Sequence, residues 1–87
     1  MSKKVIFVFL NRASTGKNNI CGEKIAALRG ASNISQRELA DRLQLVGLDV
    51  DKNAIQRIEA GKRFVTDIEL VAFAKVFGVH TADLLGL

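Results

Sequence analysis

Apolar positions recur in short stretches at helical spacing, and a glycine closes most of them. Between Gly22 and Arg29, Ile25 and Leu28 lie on one face, and Gly30 follows where a helix should stop. Ser35-Gln-Arg-Glu38 is an S-x-x-E capping box, in which each partner satisfies an orphan backbone donor of the other. It predicts a second helix with Leu39, Ala40 and Leu43 inward and an end near Gly47. Asp51 suits the N-cap of a third helix carrying Ile55 and Ile58 inward and ending at Gly61. Thr66-Asp-Ile-Glu69 is a second capping box, and Leu70, Phe73, Ala74 and Phe77 continue its stripe as far as Gly78. A last turn from Thr81 to Leu85 would lay Leu84 and Leu85 over the core. The expected fold is therefore all-α, a compact five-helix unit over residues 22–87.

Residues 1–21 read differently. Val5 to Leu10 is a continuous apolar run of β-branched and aromatic types, which favours a short strand. Asn11 to Asn19 is rich in Asn, Ser, Thr and Gly and reads as a flexible linker. A lone apolar strand has no partner in a helical body. Three readings of it stand: pairing with the same strand of a second chain to make a dimer, a flap on its own helices, or an extension preceding the domain. The run is too short for a signal peptide core or a membrane span, so the expected location is the cytoplasm.

At 87 residues the chain has room for one small core. A single cysteine, Cys21, excludes an internal disulfide and any zinc site with two thiolates, and His80 is the single histidine. No pair of titratable groups has catalytic spacing, so neither an enzyme nor a cofactor or metal is expected.

Charge adds a sharper distinction. The net +4 resides in residues 1–21, through Lys3, Lys4, Arg12 and Lys17 with no acid, while the nine basic and nine acidic side chains of residues 22–87 cancel. Any nucleic-acid role for the body must rest on local clustering. The twelve residues from Lys52 to Arg63 provide it, with four cations against Glu59.

Two short helices with Lys, Asn, Gln and Arg outward on the second form the layout of a helix-turn-helix that reads the major groove. Lys52 and Arg57 suit the acceptors of guanine, and Asn53 and Gln56 can bond adenine bidentately. Lys62 and Arg63, just past Gly61, suit phosphates. An ordinary solvated helix face is the competing reading of the same residues.

Three blocks then occur in order: Ile34-Ser-Gln-x-x-Leu39-Ala40, Ile55-x-x-Ile58-Glu59-x-Gly61-Lys62, and Glu69-Leu-Val-x-x-Ala74-Lys-x-x-Gly78-Val-x-x-x-x-Leu84. Together they resemble the Cro/lambda-repressor-type, or XRE, helix-turn-helix family over residues 22–85. The resemblance implies a sequence-specific regulator of transcription, a repressor that binds double-stranded DNA as a homodimer on a pseudo-palindromic operator. It implies that Lys52, Asn53, Gln56 and Arg57 face the bases and that Gln36 contacts the DNA backbone. It also implies that Arg29 and Glu59 form a partly buried salt bridge. An antitoxin-like or adaptor module acting through Val5–Leu10 is the alternative, by addition of a strand to a partner. The sequence departs from the family at two places. Ala54 replaces a frequent small polar residue, and about five extra residues lie between Ala40 and Ile55. That insertion is expected to lengthen helix two or the connection, with Leu45, Val46, Leu48 and Val50 packing inside.

Overall fold

The computed structural model describes residues 16–87; the expected strand at Val5–Leu10 lies outside the described residues. Within them are five helices and no strand: α1 (Gly22–Ala31), α2 (Gln36–Leu45), α3 (Lys52–Glu59), α4 (Asp67–Phe77) and α5 (Thr81–Leu85). Three starts are built as their sequences dictate. Ser35 and Glu38 exchange the two bonds of a capping box, and so do Thr66 and Glu69. The Asp51 carboxylate accepts from the Ala54 N–H at 2.8 Å and opens α3.

Helix ends follow the glycines less closely. Gly78 closes α4 in the left-handed conformation at φ 67°, where a Cβ would be strained. Gly30, by contrast, is inside α1, which runs on to Ala31. The left-handed residue after α1 is Asn33 at φ 56°, whose short polar side chain tolerates that region.

Ile25, Leu39, Leu43, Ile55, Ile58, Phe73 and Leu84 are fully buried and draw all five helices onto one core. Leu70, Phe77 and Leu85 are half-buried at its margin. Helix α3 packs against α1 and α2, and α4 packs against α1, α2 and α5. This arrangement covers the inner side of α3 and leaves its outer side to solvent.

The extra residues behave differently from the expectation that they pack inside. Helix α2 stops at Leu45, so the connection takes up the added length. Val50 is buried and Leu48 half-buried, but Leu45 is 87% and Val46 41% exposed. The cause is helical geometry: Leu45 lies two positions beyond inward Leu43, about 200° around the axis. The Leu48 N–H then donates back to the Leu43 carbonyl at 2.9 Å, which turns the chain before Val46 can reach the core.

Residues 17–21, read from sequence with the linker and extension, lie packed on the body. Cys21 belongs to the core. Burial pushes its thiol above the ordinary value. Asn19 accepts from the Gly22 N–H at 2.8 Å and so covers the start of α1, where Cys21 provides no side-chain cap.

Two glycines of α1 should respond oppositely to alanine. At Gly22 a Cβ would collide with the Ile58 carbonyl and the Asn19 side chain, whereas at Gly30 it meets open space. Urea titration should find Gly30→Ala more stable by about 0.5–1 kcal/mol, from reduced backbone freedom in the unfolded chain, and Gly22→Ala less stable.

Candidate nucleic-acid interface

Helix α3 divides its circumference cleanly. At 100° per residue, Lys52, Asn53, Gln56 and Arg57 occupy one arc of about 140°, and Ile55 and Ile58 lie in the arc opposite. The structure agrees with that geometry, since both isoleucines are buried and the four polar residues exposed. None of the four side chains has a hydrogen-bond or ion-pair partner among the described residues. Ala54 is half-buried at the edge of the core.

Beside the start of α3 lies an open groove of about 540 Å³, lined by Arg29, Ser35, Gln36, Arg37 and Lys52. It joins the N-terminal ends of α2 and α3, where free backbone N–H groups favour anions. Arg37 is exposed there. The sequence reading did not single it out, although its place directly after Gln36 in the first turn of α2 was the available signal.

The wall of this groove is held by Glu59. Arg29 Nε donates to Glu59 Oε2 at 2.7 Å and Arg29 Nη2 to Glu59 Oε1 at 3.0 Å. Arg29 Nη1 reaches the Ile34 carbonyl at 3.0 Å, so one guanidinium ties together α1, the α1–α2 turn and α3. Gln36 Nε2 also donates to Glu59 Oε1, at 3.0 Å. The hydrogen bonds to Glu59 raise the Arg29 pKa further and keep the guanidinium charged. Gln36 is thus oriented by a protein partner while lining the groove.

Arg63, expected to contact phosphate, is engaged with an acid of its own chain. Its Nη1 and Nη2 donate to the two Glu69 oxygens at 3.0 and 2.9 Å. Glu69 is 8% exposed and needs a cation, and Arg63 supplies it. Arg63 and the Thr66 N–H together hold the Glu69 carboxyl below the usual carboxylate range. Reading Glu69 only as a capping residue hid this second role. Lys62 remains exposed, with no side-chain partner among the described residues.

The far end of α3 is closed by a clasp that sequence reasoning missed. Asn19 Nδ2 donates to the carbonyls of Ile58 at 3.0 Å and Arg63 at 2.8 Å. The Asn18 N–H donates to the Gly61 carbonyl at 2.8 Å, and its Nδ2 to Lys62 at 3.1 Å. Lys17 lies across Gly61, where a Cβ would meet its alkyl chain, and its Nζ reaches Glu23 at 3.0 Å. No local signal marks such a contact, because the partners are about forty residues apart in the chain.

The helix-turn-helix family matches residues 25–84, more than half the chain. The chain belongs to the XRE/lambda-repressor-type helix-turn-helix family. Neither the curated proteins nor the solved structures yield a match. The matched stretch takes in α2 and α3, and the family is one of DNA-binding transcription regulators. No helix among the described residues is long and apolar enough to cross a membrane.

Two substitutions probe these ion pairs. Arg29→Met leaves the Glu59 side chain, 9% exposed, with Gln36 as its remaining partner; urea unfolding should show a loss of about 2–3 kcal/mol. Because the folded pKa of Glu69 is depressed, its stabilisation is complete above the unfolded value of about 4.3 and disappears as pH falls through the folded value. Glu69→Gln keeps an amide for the capping box and should flatten the acid limb of a plot of urea midpoint against pH.

Proposed function

We propose that the chain is a sequence-specific reader of double-stranded DNA that represses transcription by occupying its operator. The observation carrying this reading is the outer face of α3, where Lys52, Asn53, Gln56 and Arg57 stand exposed above buried Ile55 and Ile58. A helix so divided presents hydrogen-bonding groups to base edges while its other side stays fixed to the body. Lys52 and Arg57 take guanine O6 and N7, and Asn53 and Gln56 take adenine N6 and N7.

Phosphates flank this face at both ends. Lys62 contacts the backbone beyond the C-terminal end of α3. Gln36 does so at the start of α2, joined there by Arg37. Arg63 acts indirectly by fixing the loop that carries Lys62, since its own guanidinium is bound to Glu69.

A helix-turn-helix monomer reads few base pairs. The repressor therefore works as a homodimer on a pseudo-palindromic operator in the cytoplasm, with half-sites about 34–36 Å apart. Pairing through Val5–Leu10 is one route to that dimer and lies outside the described residues, as does the segment on which the adaptor alternative rests.

Selection of bound sites from random duplexes at two salt concentrations tests the reading. Arg57→Ala should erase the preference at one base pair, a loss of about 1–3 kcal/mol of discrimination. Lys62→Ala should weaken every duplex alike and reduce the slope of log K against log salt by about 0.9. An unchanged site profile for Arg57→Ala would overturn the assignment of α3 as the reading helix.

A further inference from the structure

On the outer side of α4, Ile68 is 73% and Val71 45% exposed. With Ala72 and Lys75 they line a groove of about 240 Å³ whose other wall is Val46, Gly47 and Leu48, residues of the lengthened α2–α3 connection. The extra residues thus enlarge an apolar surface that would otherwise be α4 alone.

We propose that this face is the surface on which a second copy of the chain docks, through antiparallel pairing of the two α4 helices. The charges along α4 specify that occupant. Asp67, Val71 and Lys75 follow at intervals of four, so they share one side of the helix with Val71 midway. A two-fold axis through Val71 sets each Asp67 opposite the partner copy's Lys75 at both ends of the contact, about 12 Å apart along the axis. Each acid meets a base, and the apolar residues between them meet their own kind. A parallel pairing would instead oppose Asp67 to Asp67 and Lys75 to Lys75. Both charged residues are exposed, and neither has an ion-pair partner among the described residues. The Ile68 side chain of each copy then has the groove beside Val46 and Leu48 of the other to enter. No residue lining this groove belongs to α3, so the pairing does not draw on the polar face of that helix. This deepens the homodimer of the proposed function by naming its surface.

Sedimentation equilibrium of the full chain and its variants tests the pairing, with circular dichroism confirming helix content. The wild-type chain should be a dimer. Asp67→Lys opposes two lysines at each end and Lys75→Asp opposes two carboxylates, so each alone should raise the dimer dissociation constant roughly tenfold or more. Mixed in equal amounts, the two variants complement each other at both ends and should regain the wild-type constant as a heterodimer. Val71→Glu puts two carboxylates across the axis and should give a monomer. The double variant Phe7→Asp, Phe9→Asp should remain dimeric. A monomeric wild type, single charge variants that dimerise like the wild type, or a dimer lost only in the Phe7/Phe9 variant would overturn the inference. A duplex titration separates the two readings. Duplex selectivity in a wild type found to be monomeric rejects the α4 interface alone. An α4-paired dimer that is blind to duplex rejects the DNA reading alone.

Discussion

The fold and the orientation of the polar face of α3 both depend on one carboxylate. Glu59 ends α3, where the helix dipole disfavours an acid, and its side chain is almost wholly withdrawn from water. Such a group is tolerable only with a cation and further donors around it. Arg29 brings the charge from α1, and Gln36 adds a bond from the first turn of α2. Three helices are thereby tied at one point. The angle at which α3 leaves the body, and the direction in which its polar side looks, follow from that junction.

A second constraint acts where α3 runs out. The carbonyls of Gln56, Arg57 and Ile58 accept from the backbone N–H groups of Ala60, Lys62 and Gly61, and residues from far upstream fasten the turn so formed. Asn19 bridges Ile58 and Arg63, and Asn18 takes Gly61 and Lys62. Arg63 is drawn to Glu69 on the same stretch, so the turn after α3 is fastened from both sides. Lys62 stands between these attachments, an exposed cation on a rigid support.

Much of this was legible in the sequence, because the signals were local. The capping residues Ser35, Asp51 and Thr66 mark three helix starts, and each makes the bond its position implies. The apolar periodicity identified Ile55, Ile58 and Phe73 as core. What escaped were contacts between distant parts of the chain and side chains with two duties. Asn18 and Asn19 have linker composition and act as a clasp; Glu69 has the signature of a cap and also binds a buried-side cation. Hydrophobicity alone misplaces Leu45, whose angular position on α2 points it outward, and Val46, which lies past the helix end where the chain turns back to Leu43.

The clasp has a consequence for anyone transplanting the reading unit. Residues 17–21 precede the stretch of 25–84 by which the family is recognised, yet they bond to the end of α3 and the turn after it and contribute Cys21 to the interior. A chimaera spliced at the recognised borders would carry the whole polar face of α3 but lose the bonds that fasten the turn after it. The inheritable module begins earlier than its signature.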